Sequence, residues 1–245
     1  MSPARRPRRL LPAAAAAVAV AGAAAALVIA RSGTAGSSAA PGARRAAPAA
    51  SPASALQAPQ LPQVSVGGLR WSDFHGIELP ASASAGPRDT AGGLASGFAD
   101  TPLGALTAAL NIAVRANAQW GPGVYGPTIR DQVTGLYAAA LLAGCQATYA
   151  QASQAAHVTG GAPLGNAYVT EEAFRWLAWN PAAATVDLVS AAPGSQGTTV
   201  RAVVRVQVTW SGGDWREVAP PGGDWGNAAA QLSSLSGYTV FPGQG

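Results

Sequence analysis

Apolar and polar side chains alternate most cleanly between Thr199 and Trp210. Val200, Ala202, Val204, Val206, Val208 and Trp210 fall on one face, and Thr199, Arg201, Val203, Arg205, Gln207 and Thr209 on the other. A period of two is that of a strand with one face in a core. Ser211-Gly212-Gly213-Asp214 supplies a turn, Trp215-Arg216-Glu217-Val218 returns, and Pro220-Pro221 ends the run, so the stretch predicts a β-hairpin. Two registers are open. A symmetric turn sets Trp210 opposite Trp215 and leaves Val218 opposite Gln207, whereas a one-residue bulge at the glycines pairs Val208 with Val218. Thr185 to Ser190 is another strand candidate, and Trp71 to Pro80 predicts a short strand and turn.

Helical periodicity comes earlier in the chain. Thr101 followed by Pro102 is an N-cap with proline at the first helical position, where its missing N–H costs nothing. Leu103, Leu106, Leu110, Ala113 or Val114, and Asn117 follow at spacings of three and four, and Gly121-Pro122 stops the run. A second helical stretch is expected from about Thr128 to His157, broken near Gly135 or Gly144. Thr170-Glu171-Glu172 places acidic residues in the first turn of a short helix carrying Phe174, Leu177 and Ala178, ended by Pro181. Helices first and an antiparallel sheet last predict an α+β domain over 70–245, with about three helices packed on a small sheet.

One apolar segment stands apart. Leu10 to Ala30 has no charge and as a helix would span roughly 30 Å, about one hydrocarbon core. Arg5, Arg6, Arg8 and Arg9 precede it, which predicts a cytoplasmic stub over 1–9, a membrane anchor over 10–30 and an exported C-terminal part. The other reading is a signal peptide cut after Ala30, making the protein secreted; the run exceeds the roughly 7–15 residues usual for a signal core. Residues 31–69 are rich in Ala, Pro, Ser and Gly with few large apolar side chains, a composition that predicts a disordered linker.

Charge changes the functional picture. The pI of 9.8 invites a nucleic-acid reading, but seven of the 15 basic residues, all Arg, lie before residue 46, where no acidic residue occurs. The remainder holds eight scattered Arg against 11 acidic residues, a net charge of −3. A nucleic-acid groove in the folded part is not expected. The single Cys145 can form neither an intramolecular disulfide nor a cysteine-based metal site.

Candidate chemistry is sparse. His75 lies near Asp73 and Glu78, but Trp71, Phe74, Ile77 and Leu79 interleave them in the manner of a packed edge segment; His157 ends a helical stretch, where a cation suits the helix dipole. There is no Gly-x-Ser-x-Gly elbow and no phosphate loop. No catalytic residue, metal or cofactor is therefore expected. Of the seven Trp residues, Trp71, Trp120, Trp210, Trp215 and Trp225 form the candidate interaction surface, an aromatic patch or pocket for a partner or a sugar.

Gly97-Phe98-Ala99-Asp100-Thr101-Pro102-x-Gly104-Ala105, Trp210-Ser211-Gly212-Gly213-Asp214-Trp215-Arg216-Glu217-Val218 and Phe241-Pro242-Gly243 together resemble membrane-anchored proteins of actinobacterial plasmids and integrative conjugative elements, over roughly residues 70 to 245. The layout also resembles bitopic scaffold subunits of type IV secretion and conjugation machines, whose exported domains are similar to nuclear transport factor 2 (NTF2) folds. The resemblance implies a non-enzymatic membrane protein whose partners are the bilayer, through residues 10–30, and other membrane or secretion proteins, with homo-oligomerisation among the contacts it allows. The alternative from another class is a secreted or surface-attached module that binds a cell-wall or sugar ligand in a Trp-rich pocket.

Overall fold

A computed structural model describes residues 60–243. The expected stub, the apolar segment 10–30 and positions 31–59 of the expected linker lie outside the described residues. Among those described, no helix is long and apolar enough to cross a membrane. The packed chain starts before residue 70, because Val64 and Val66 lie against the main core and Leu69 is buried in it.

Where a short strand and turn are expected, strands β1 (Arg70–Phe74) and β2 (Ile77–Ala81) pair as a hairpin around His75 and Gly76. Helix α1 (Pro102–Arg115) starts where proposed, with Thr101 Oγ1 accepting from the Gly104 N–H at 3.1 Å. Every residue from Gly104 to Arg115 is buried. A helix covered on all sides must be lined by small side chains wherever neighbours approach closely. A Cβ on Gly104 would lie 2.0 Å from the Ala99 carbonyl oxygen. Gly104→Ala is accordingly expected to destabilise the domain by about 2–3 kcal/mol, read as a lower urea midpoint at unchanged m-value.

The helical stretch expected from about Thr128 to His157 breaks at Gly135, one of the two expected places: α2 (Pro122–Gln132) and α3 (Ala138–Ala156) are separated by the two-residue strand β3 (Val133–Thr134) and by Gly135 at φ +92°. It starts earlier than expected, because Pro122 opens α2, and Gly144 lies within α3. One helical expectation is wrong: Thr170–Asn180 is not a short helix but strand β4. Register shifts between Glu171 and Ala173 and between Trp176 and Ala178 break its alternation, so its apolar residues fall at intervals that imitate a helix.

Strands β5 (Ala183–Pro193), β6 (Thr199–Ser211), β7 (Asp214–Val218), β8 (Ala229–Leu232) and β9 (Thr239–Val240) complete a seven-stranded sheet of order β3-β7-β6-β5-β4-β9, with β8 paired to β6 off this path. All its pairs are antiparallel except β3 with β7. It is thus larger than the small antiparallel sheet expected, while the α+β class with three long helices holds. The β6–β7 turn is the symmetric one, with Trp210 opposite Trp215 and Gln207 opposite Val218. That register places Glu217 beside Val208 on the core face.

The partner along one edge of β6 changes partway. β7 covers Gln207 to Ser211, and β8 covers Arg201 to Val204. Arg205 and Val206, between them, have no strand partner on that side. Pro220 and Pro221 follow β7 after Ala219, and proline cannot donate to a ladder. The chain leaves the sheet there and returns at Ala229, which opens a fork.

Candidate functional site

The five tryptophans proposed as a surface are mostly packing residues. Trp120 and Trp215 are each 1% exposed, so neither can belong to a surface patch. Their indole N–H groups donate to Val114 O at 2.7 Å and Ala99 O at 2.9 Å. Trp71 meets Phe241 edge-on at 5.3 Å, and Trp210 meets Trp215 at 5.4 Å. Large aromatics with a polar tip fill cores when the tip finds an acceptor, which is what happens to Trp120 and Trp215. Trp71, Trp210 and Trp225 are half-buried against the same core.

The histidines are not gathered into a site either. His75 occupies the β1–β2 turn at φ +55° and stacks on Trp120 at 5.2 Å, while Asp73 accepts from the Gly76 N–H. His157 is the left-handed C-cap of α3. Among the described residues, no group of three or more His, Cys, Asp or Glu could hold a metal ion. Cys145 is buried, which pushes its thiol up to about 11, so it is a poor nucleophile at neutral pH.

What the fold does assemble is a groove at the strand fork. It encloses about 480 Å³, floored by β6 at Val203, Arg205 and Gln207 and walled by Pro220, Pro221 and Asn227. Arg175 on β4, Asp187 on β5 and Arg205 on β6 stand directly opposite one another in register, and all three line it. Asp187 accepts from Arg175 Nη2 at 2.8 Å and from Arg205 Nε at 3.0 Å. The Arg175 guanidinium also lies 4.4 Å over the Tyr238 ring. The Asp187 carboxylate is 3% exposed while the two arginine side chains are 41% and 57% exposed. A buried anion thus fixes two cations whose outer donors still face solvent. The Asp187 hydrogen bond holds Arg175 above its ordinary value.

Two buried carboxyls sit on the opposite, core face of the sheet. Glu171 receives the Ser190 hydroxyl at 3.1 and 3.0 Å, and burial pushes it up to about 7. Glu217 is fully buried, neither of its oxygens has a hydrogen-bond partner, and burial raises it well above the ordinary carboxylate value. Neither borders the fork groove.

Sequence reading missed Arg175, Asp187 and Tyr238 as site residues, although it placed Arg205 on the wet face of its strand. One signal was available. An aspartate in the middle of Thr185-Val186-Asp187-Leu188-Val189 needs a cation once that strand is central. The false helix at 170–181 hid the arginine that supplies it.

The comparisons with known proteins add one family. Residues 30–240 match the model of a domain of unknown function, DUF8175. No curated protein and no solved structure matches the chain.

Proposed function

The chain belongs to the DUF8175 family, and we propose that it is a non-enzymatic, single-pass membrane protein that presents its α+β domain outside the cytoplasm as a scaffold or accessory component of a conjugative DNA-transfer or secretion apparatus. The observation that carries the docking role is the fork groove. Its lining combines two fixed guanidiniums, the amides of Gln207 and Asn227, and apolar walls, a composition suited to holding a partner. The place in the membrane draws on the charge-free run 10–30 behind its arginine cluster. Three helices on a mixed sheet support grouping the domain with NTF2-like folds.

Deleting the gene should lower conjugative transfer in a host where the element is otherwise active. Transfer at the wild-type frequency would overturn the reading. Membrane fractionation with protease digestion of intact cells should find the chain in the membrane with its domain accessible from outside.

A second reading has its own observation. Trp225 lines a separate groove of about 480 Å³ between α3 and the 222–226 loop, together with Asn117, Gln119 and Asp224. That composition suits a secreted or surface-attached module for a cell-wall or sugar ligand. Trp fluorescence that does not change on titration with peptidoglycan fragments excludes it.

A further inference from the structure

We infer that the fork groove recognises the carboxylates of an extended acidic segment of a partner protein; the inference rests on the docking role proposed for the domain. The donor count comes first. Each guanidinium carries five N–H groups, of which Arg175 uses one on Asp187 and buries its Nε, and Arg205 uses two on Asp187. Nη1 of each arginine makes no hydrogen bond to the rest of the groove, and both side chains are substantially exposed. Two forks side by side match carboxylates in the plane they require.

These donors are already in place. Asp187 and the Tyr238 ring hold Arg175, and Asp187 holds Arg205, so little side-chain freedom remains to be lost on binding.

Charge narrows the class of ligand. The groove holds two arginines against one aspartate, a net charge of +1, within a region from residue 46 onward that carries −3. A nucleic-acid backbone or an anionic bilayer would meet mostly repulsion around this small positive spot. A segment with one or two carboxylates gains the attraction without spreading charge over the acidic surroundings.

The backbone of the groove suits an extended chain. The edge of β6 has no strand partner between Val204 and Gln207, where the exposed Arg205 presents its main chain, and the protein cannot close the gap with its own Pro220 and Pro221. Asn227 spends its Nδ2 on Pro221 O at 2.9 Å, leaving its Oδ1 to accept from a visiting peptide N–H. A short strand laid in the gap would find main-chain partners on the floor and its carboxylates beside the arginines.

The test uses the full chain in detergent micelles and the fluorescence anisotropy of two labelled pentapeptides, Ala-Asp-Ala-Glu-Ala and its amide twin Ala-Asn-Ala-Gln-Ala. The acidic peptide is expected to bind about tenfold or more tighter than the twin, and to weaken as salt rises. Arg205→Gln should remove about tenfold of that affinity. Gln207→Glu alters an exposed position and leaves the arginines and their aspartate intact. It sets a carboxylate beside Arg205 to compete and should weaken the acidic peptide comparably, so the test survives if the Arg205 variant fails to fold. Equal binding of the two peptides overturns the inference. So does an acidic peptide that Gln207→Glu does not weaken, or one displaced by inorganic phosphate at equal concentration. Preferential binding of the acidic peptide with wild-type transfer after gene deletion would retire the transfer apparatus and keep the groove. Lost transfer with no peptide preference would do the reverse.

Discussion

Replacing Asp214 with alanine is expected to lower the melting temperature by roughly 10 °C, the loss of about 3–4 kcal/mol in a domain of this size. Asp214 opens β7, and its carboxylate reaches across more than a hundred residues of sequence. Oδ2 accepts from Gly97 N at 2.8 Å, and Oδ1 accepts from Phe98 N at 3.0 Å and from its neighbour Trp215 N at 2.9 Å. Beside it the Trp215 indole donates to Ala99 O at 2.9 Å, and Phe98 is 1% exposed. Hydrogen bonds to a charged group contribute about 1.5–3 kcal/mol each, and bonds sharing one acceptor do not add fully. Alanine strands three backbone donors in a part-buried junction. Asparagine keeps one acceptor oxygen and should fall between wild type and alanine. An Asp214→Ala midpoint within 1 kcal/mol of wild type in urea denaturation would show that the junction is held by packing alone.

The same junction explains two of the sequence patterns that stand out. Gly97-Phe98-Ala99-Asp100-Thr101-Pro102 and Trp210-Ser211-Gly212-Gly213-Asp214-Trp215 are separate in the chain and meet here, with Gly104 pressed against Ala99 O. The third, Phe241-Pro242-Gly243, brings Phe241 onto Trp71 and Phe174 at 5.3 and 5.2 Å. These residues join the helix layer, the turn of the β6–β7 hairpin and the C-terminal strand. They hold the domain together and do not line the groove.

Folding stability should fall as pH rises from about 4.5 to 7, the opposite of the usual acid denaturation. Glu171 and Glu217 are fully buried on the core face, and both are raised above the ordinary carboxylate value. Between the unfolded and folded values the native state binds the extra protons, so the slope of stability against pH is negative there. The contribution is complete below the ordinary carboxylate value. It is lost progressively as pH climbs, up to about 7 for Glu171, and the raised Glu217 adds a loss of the same sign. For Glu171 alone the loss is roughly 3 kcal/mol at 1.36 kcal/mol per pH unit.

Glu217 has a second cost, since neither of its oxygens has a hydrogen-bond partner. Glu217→Met, close to it in shape, should stabilise the domain by about 1–3 kcal/mol at pH 4.5, where only the stranded polar group is relieved. At pH 7 the gain should be larger than at pH 4.5, because the unfolded variant has no glutamate at 217 to gain by ionising. Urea denaturation of both proteins at the two pH values checks this. A gain that is the same at both would mean that Glu217 is not held neutral in the fold.

Much of the domain is legible without coordinates. The Thr101-Pro102 cap places α1, and the alternation from Thr199 to Trp210 places β6 and its hairpin, because each rests on contacts within a few residues. Even the correct hairpin register was one of two that the turn chemistry allowed. What decided between them lies elsewhere: Asp214 is pinned to Gly97 and Phe98, which keeps the turn symmetric and turns Glu217 inward against the preference of its own side chain. Strand β4 was misread for a related reason. Its two irregularities follow from pairing with β5, which no local pattern records.

The groove is the extreme case. The composition alone located the basic charge before residue 46 and so removed nucleic acid from the folded region, since counting needs no fold. Whether Arg175, Asp187 and Arg205 meet depends on three strands lying side by side, and whether a recess opens beside them depends on where β7 stops and β8 begins. Only the tertiary structure could decide that, because a cross-strand row of charges is set by register, and register is a property of the whole sheet.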